Sequence, residues 1–222
     1  MYYDSQARLD GSGRGGLPYN PFKALVAPRP IGWVSSLTED GLVNLAPYSY
    51  FQAVADQPDI VMFSASPARP SSDRKDTERN VLGHGEFVCN IVPNSLAEAM
   101  NQTSASLPRD LSEAEFAGLE LAPSERVAPP RVAAAPAALE CALVETRPVR
   151  HRGGEHHYTM VFGEVLGIYI DDQYINHDNG RVDTAAMNIL TRMGYDEYAV
   201  LERSYSMTRP DFDPMNSDVL KG

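Results

Sequence analysis

The amino-acid sequence predicts a mainly β protein: an antiparallel barrel, closed or half closed, with short helices attached. Three observations support this fold class. Six or more segments have the composition of strands, turn residues link neighbouring strands, and only short segments have the pattern of helices. Strands and helices do not alternate regularly, so a doubly wound parallel sheet is not expected.

The first two strands are predicted in "IGWVSS" (31–36) and "VNLAPYSYFQAV" (43–54). Between them lies "LTEDGL", in which the pair Asp40-Gly41 suits a hairpin turn. Proline has no backbone N–H to donate, so Pro47 indicates that the second strand lies at an edge or a bulge of the sheet. Four further strands are predicted at 59–66, 86–92, 138–149 and 158–170.

Three short helices are predicted between and before these strands. The first is "NPFKALV", where Asn20 is a candidate N-cap and Pro21 suits the first turn. The second begins near Thr77 in "TERNVLG", and the third begins near Ser95 in "SLAEAMNQ".

The length of 222 residues, of which 43% are hydrophobic, is sufficient for one domain with a substantial core. We expect this domain at 17–207, between a flexible arm (1–16) and a C-terminal tail (208–222). The arm contains "GSGRGG", which matches the dinucleotide fingerprint G-x-G-x-x-G. Polar residues precede it and the prolines of "LPYNP" follow it, so the required strand and helix are missing and the match carries no function.

The charge balance restricts the partners of the protein. Thirty acidic and 19 basic residues give a net charge of -11, which argues against binding to nucleic acid or to an anionic membrane surface. The chain has no apolar leader and no run long enough to cross a membrane, so we expect a cytoplasmic protein. Cys89 and Cys141 each lie in an apolar run, which indicates buried, reduced thiols.

The segment "SSDRKDTERN" (71–80) gathers basic and hydroxyl side chains in an acidic chain. It follows a strand and leads into a helix, so the first amides of that helix, the Lys75 ammonium and the Thr77 hydroxyl can converge on one anion. The alternative is an ordinary solvated helix start. A carboxylate repels a phosphate, so we expect the Asp76 side chain to turn away from such a site.

Four motifs together resemble the flavin reductase-like family of FMN-binding split barrels, which includes flavoredoxins. They are "PRPIGWVSS", "DGLVNLAPYSYF", "RKDTERN" and "VFGEVLGIYI", in this order, and "RMGYDEYA" resembles a closing motif with an Arg and a Tyr. The resemblance implies a six-stranded Greek-key split barrel and a homodimer with FMN at its interface. It also implies flavin redox chemistry with NAD(P)H or a protein as electron donor.

The resemblance also implies the residues of the FMN site. It assigns the phosphate to Lys75, Thr77 and Asn80, with help from Ser49 and Ser64. It assigns the edge of the flavin ring to the backbone of two segments, which are Trp33, Val34, Ser35 and Ser36, and Ala46, Pro47, Tyr48 and Ser49. The faces of such a ring require apolar or aromatic cover, for which Trp33, Tyr48 and Phe51 are candidates. Alternatively, Tyr50 and Phe51 are ordinary core residues.

One position departs from the family pattern. Many flavin reductases of this fold have Gly-Asp-His ahead of the "GEV" strand, whereas this chain has "GGEHHYTMVFGEV", with Tyr158 in place of the histidine and His157 one residue earlier. Successive residues of a strand point to opposite faces, so this shift puts efficient use of nicotinamide in doubt. The five scattered histidines and two cysteines have no metal-site spacing.

No nucleophile, base and acid constellation is present, which fits a flavoprotein because the cofactor carries the chemistry. The leading hypothesis is an oxidoreductase that passes electrons from NAD(P)H through FMN to free flavin or another acceptor. The alternative is a non-catalytic FMN-binding module or an electron carrier coupled to a protein partner. The Ala- and Pro-rich segment 119–138 is predicted to cover the flavin, with Arg126 or Arg131 meeting NAD(P)H phosphates, or else to cross the surface.

Overall fold

The computed structural model describes residues 3–5, 17–67, 74–150, 152 and 158–210. Its main element is a seven-stranded antiparallel sheet with the spatial order β2-β1-β5-β6-β7-β4-β3. In chain order the strands are β1 (Gly32–Leu37), β2 (Val43–Tyr48), β3 (Phe51–Asp56), β4 (Asp59–Ala65), β5 (Glu86–Ile91), β6 (Ala137–Pro148) and β7 (Thr159–Ile170). The predicted class, a mainly β split barrel with short helices, is confirmed.

The split of the barrel lies where the chain passes from β2 to β3. These strands form the two edges of the sheet, yet only Ser49 and Tyr50 separate them in sequence. The sheet must therefore curl until its edges meet, and the Ser64 amide donates a hydrogen bond of 2.8 Å to the Tyr50 carbonyl at this corner. The single strand predicted at 43–54 is thus two strands, which accounts for seven strands instead of six.

The predicted hairpin and edge positions are confirmed. Gly41 has φ +82°, and the Thr38 amide bonds to the Leu42 carbonyl across the turn between β1 and β2. A positive φ favours glycine, which explains why glycine follows Asp40 in this turn. Pro47 lies in β2, which is an edge strand.

Four short helices flank the sheet: α1 (Phe22–Leu25), α2 (Asp76–His84), α3 (Ala97–Gln102) and α4 (Glu113–Phe116). The first three agree with the prediction, and Asn20 Oδ1 accepts a hydrogen bond from the Phe22 amide as expected of a cap. Helix α4 was not predicted. Within the described ranges no helix has the length and apolar character needed to span a membrane.

Buried side chains form two main clusters on opposite faces of β1. One fills the barrel interior and includes Val34, Phe63, Phe87 and both cysteines, which are buried and reduced as predicted. The other lies outside the barrel, under α3 and α4, and includes Trp33 and Leu45. This division follows from the alternation of side chains along each strand.

Gly163 allows β7 to pass close to the aromatic core. A Cβ atom at this position would lie 2.3 Å from Phe87 Cζ and 3.2 Å from Cys141 Cβ. Strand β7 is paired on both sides, with β6 and β4, so it cannot move away easily. The barrel interior therefore requires glycine here.

A small sheet beside the barrel brings the C-terminal part of the domain to the split corner. Its three strands are Arg29–Pro30, Leu190–Arg192 and Tyr198–Val200. The predicted flexible arm (1–16) and tail (208–222) fall mostly outside the described residues, as does His157, and those assignments remain predictions.

Candidate functional site

The split corner brings together predicted phosphate residues from three elements. Ser49 follows β2, Ser64 is the penultimate residue of β4, and Lys75 precedes α2. The Ser64 amide bonds to Tyr50, and Lys75 Nζ lies 5.7 Å from the ring centroid of Tyr48. All three predicted side chains are half-buried and thus remain accessible from outside.

A cleft of about 140 Å³ lies beside this corner. Two predicted residues, Pro47 and Ser49, line it together with Arg192 and Tyr198 of the "RMGYDEYA" motif. Arg192 Nη1 donates a hydrogen bond of 2.6 Å to the Tyr198 hydroxyl, and the guanidinium lies over the Tyr198 ring. This pair builds one polar wall of the cleft.

Among the residues that the structure describes, cover on the outer edge of β2 is found along its first half only. There, the Val43 carbonyl accepts from Ser112 Oγ and the Leu45 amide donates to the Glu113 carboxylate. Alternate residues of an edge strand direct their backbone groups outward, so Pro47 is the next outward position. The uncovered part of this edge therefore coincides with the cleft.

The predicted segment Trp33 to Ser36 lies behind the cleft, in β1. Its backbone pairs with both β2 and β5, and its side chains are buried. Trp33 Nε1 donates a hydrogen bond of 2.8 Å to Thr103 Oγ1 in the outer cluster, so the indole packs in the core and does not line the cleft. Phe51 is likewise a core residue, whereas Tyr50 is half-buried.

Thr77 and Asn80 are buried within a polar network that joins α2 to the edge of the sheet. Thr77 Oγ1 donates to Asn44 Oδ1 at 2.7 Å, and Asn80 Nδ2 donates to Ser36 Oγ at 3.2 Å. Asn44 Nδ2 in turn donates to both carboxylate oxygens of Glu113, at 3.0 and 2.9 Å. These contacts fix the first turn of α2 in front of β2.

Sequence reasoning missed Asn44 and Glu113, the centre of this network. The position of Asn44 between apolar residues of the strand "VNLAPY" could have indicated a polar network, because a buried amide needs hydrogen-bond partners. Glu113 gave no such signal, since it lies 69 residues away in the chain. Burial raises the pKa of the Glu113 carboxyl, and the hydrogen bonds from Leu45 and Asn44 oppose that shift.

Lys75 occupies the N-cap position of α2 without a capping hydrogen bond from its side chain. The first amides of a helix need acceptors, so this end favours a negatively charged group. Asp76, which we expected to turn away, makes an ion pair of 3.0 Å with Arg109. The helix start is therefore arranged as an anion site would require.

The Ala- and Pro-rich segment does not cover the cleft. Its backbone is held against β5 and β6 by buried side chains: Glu140 accepts from the Arg126 amide, and Asn90 Oδ1 accepts from the Val132 amide. Arg131 stacks on the Tyr169 ring at 3.5 Å. The segment is therefore a surface crossing over β5 and β6, and the contact of Arg126 or Arg131 with NAD(P)H phosphates stays a prediction.

Comparison with known proteins identifies the family. Residues 25–186 match the flavin reductase-like domain family. An uncharacterised protein of Deinococcus radiodurans is 37% identical over 200 residues, which cover 88% of this chain and 82% of that protein.

Two solved structures are each 31% identical to this chain. Component B of nitrilotriacetate monooxygenase from Bacillus cereus has a TM-score of 0.77, with 86% of this chain and 94% of that chain covered. The 2-nitrobenzoate 2-nitroreductase of Pseudomonas fluorescens has a TM-score of 0.74, with coverage of 87% and 90%. Flavoredoxin of Desulfovibrio vulgaris, at 18% identity and a TM-score of 0.67, shares the fold, with 86% and 94% covered.

The split barrel, the motifs at its corner and these similarities define a class, the flavin-related oxidoreductases. The chain belongs to the flavin reductase-like domain family. The resemblance inferred from the sequence motifs is thereby confirmed.

Proposed function

We propose that the protein binds FMN at the split corner and passes electrons from NAD(P)H through FMN to free flavin or another acceptor. The observation that carries this proposal is the coincidence of three features: the uncovered edge of β2, the cleft beside it and the start of α2. A flavin mononucleotide needs a backbone edge for its ring and an anion site for its phosphate, and the corner offers both.

For the phosphate, we propose direct contacts from Lys75 and the first amides of α2, flanked by Ser49 and Ser64. Thr77 and Asn80 would act mainly by holding α2 in place, because their side chains bond to Asn44 and Ser36. A hydrogen bond to a charged group contributes about 1.5–3 kcal/mol, so a few such contacts suffice even in an acidic protein.

For the ring, we propose the backbone from Ala46 to Ser49, supported from behind by Trp33 to Ser36. Pro47 has no N–H, so its outward edge presents a carbonyl that accepts a hydrogen bond from the ring N–H. When bound, the flavin supplies hydride acceptance, and the protein positions it and limits water.

We further propose a homodimer in which a second copy completes the site. The cleft of about 140 Å³ is smaller than the roughly 300–1,000 Å³ of a typical ligand pocket. Apolar side chains on the outer faces of β3 and β7 are exposed, among them Val54 (47%) and Ile168 (54%). The cytoplasmic location also remains part of the proposal.

The proposed function is tested with purified protein saturated with FMN. Under anaerobic conditions, adding NADH or NADPH should bleach the visible flavin absorbance, and light scattering of the same sample should give about twice the chain mass of 24.4 kDa. Bound FMN that stays oxidised with both nucleotides would contradict the reductase. The alternative, a flavin carrier reduced by a protein partner, is favoured by Tyr158 at the position of the family histidine.

Replacing Lys75 with alanine should weaken FMN binding by about 2 kcal/mol, roughly 30-fold, because one charged donor to the phosphate is lost. Lys23→Ala is the matched control, since it removes the same charge from an exposed position on α1. Fluorescence titration measures both affinities. Equal affinity in the two variants would remove Lys75 from the phosphate site.

A further inference from the structure

The side chain of Tyr48 reaches from the barrel interior towards the start of α2. Its ring packs on Phe63, with ring centroids 4.7 Å apart, and Lys75 Nζ lies 5.7 Å from its centroid. Four groups act on its phenol: Thr77, Glu78 and Asp76, which form the first turn of α2, and Glu113 of α4. The hydroxyl therefore faces the same helix start that carries the proposed phosphate site.

This hydroxyl is buried and lacks a hydrogen bond. Tyr48 is 5% exposed, and none of the described residues is a hydrogen-bond partner of its oxygen. Thr77 lies beside the phenol, but its hydroxyl hydrogen is directed to Asn44 Oδ1, and its oxygen is not in hydrogen-bonding geometry with the Tyr48 hydroxyl. A buried polar group without a partner is costly and rare in native structures, so its presence indicates a group that binds there.

The charges around the phenol do not exclude an anion. Each carboxylate nearby has a partner in the protein: Asp76 pairs with Arg109 at 3.0 Å, Glu78 pairs with Arg74 at 3.1 Å, and Glu113 accepts from Asn44. The positive end of the nine-residue helix α2 and the Lys75 ammonium point to the same region.

We propose that the Tyr48 hydroxyl is a further ligand contact, which donates its hydrogen to an oxygen of the flavin phosphate. This inference rests on the proposed function and adds one named contact to the proposed phosphate site. A donor aimed at the phosphate distinguishes FMN from riboflavin, which has the same ring and ribityl chain but no phosphate. Tyr48 therefore selects the phosphorylated form of the cofactor.

The protonation state of Tyr48 suits this role. Burial raises the pKa of the phenol above its ordinary value of 10.0, so it keeps its hydrogen at neutral pH. A phosphate monoester accepts hydrogen bonds and carries nearly two negative charges at that pH. The uncharged Tyr48 hydroxyl can donate to such a phosphate, whereas an ionised phenolate would repel it.

The test compares Tyr48→Phe with the wild-type protein in titrations with FMN and with riboflavin. We expect FMN to bind about tenfold more weakly, as for the loss of one hydrogen bond to a charged group, and riboflavin affinity to stay unchanged. Tyr169→Phe, which removes a hydroxyl from β7, is the control and should bind both flavins like the wild type. Equal losses for FMN and riboflavin, or no loss for either, would overturn the proposal.

Stability without ligand separates a binding role from a structural one. Flavin-free Tyr48→Phe should be at least as stable as the flavin-free wild type, because it removes an unpartnered hydroxyl. If the variant is less stable and its FMN affinity is intact, the hydroxyl binds an internal water and the proposal is wrong.

Inorganic phosphate tests the anion contact independently of the flavin. It should raise the melting temperature of the wild type more than that of Tyr48→Phe. If phosphate stabilises the wild type more than Tyr48→Phe but the wild type does not bind FMN, the anion contact is supported and the proposed cofactor is disproved. FMN binding without any effect of Tyr48→Phe in either assay would leave the proposed function intact and disprove the contact.

Discussion

Gly163→Ala is expected to destabilise the protein by about 3 kcal/mol, at the upper end for overpacking a core. The added methyl group would lie 2.3 Å from the Phe87 ring, which is fully buried. Strand β7 is fixed between β6 and β4, so the strain must be taken up by the aromatic core. Urea unfolding measures the loss.

Two further variants make this result specific. Gly83→Ala is the same substitution inside α2, where no atom other than its chain neighbours and the backbone of its own helix lies within 4 Å of the new methyl group, and it should stabilise the helix by up to about 1 kcal/mol. Phe87→Leu should make room for the methyl group, so the double variant with Gly163→Ala should lose less than the sum of the single losses. Additive losses would show that the strain arises elsewhere.

Asn44→Ala is expected to cost about 3 kcal/mol, because it leaves several buried polar groups without their partner. The Thr77 and Ser36 hydroxyls lose their acceptor, and the Glu113 carboxylate loses both bonds from the Asn44 amide. Thermal or urea unfolding measures the effect. Asn94→Ala, at an exposed position, should stay within about 0.5 kcal/mol of the wild type.

A double-variant cycle tests whether Asn44 acts through the network. Since Asn44 and Glu113 bond to each other, the losses for Asn44→Ala and Glu113→Ala should not add, with a coupling of about 0.5–3 kcal/mol. Independent, additive losses would mean that the two side chains stabilise separate parts of the protein.

Much of the fold could be predicted because its signals are local. The turn at Asp40-Gly41 depends on the backbone freedom of one glycine, and the edge position of Pro47 follows from its missing N–H. The apolar runs around Cys89 and Cys141 also predicted that both cysteines are buried. Each of these rules needs only a few neighbouring residues, so a single sequence is sufficient.

The remaining features depend on contacts between distant segments. The break of 43–54 into β2 and β3 occurs because the sheet curls until its two edges meet, and no local signal marks Ser49 and Tyr50 as that corner. Nothing in the sequence indicated which side of the sheet the Trp33 indole lies on, because both faces of β1 are buried. The bond between Asn44 and Glu113 spans 69 residues.

The exposed edge of β3 has a consequence for solubility. Gln52 to Asp56 are all exposed, and within the described part of the chain β3 has a neighbour on one side only, so another strand could add to it. Helix α4 and Ser112 cover the first half of the other edge, in β2, but β3 has no such cover among the described elements. The net charge of -11 at pH 7 opposes further association through this edge by repulsion, and this protection weakens near the isoelectric point of about 4.8. The negative charge of the chain therefore limits aggregation through the unpaired edge of β3.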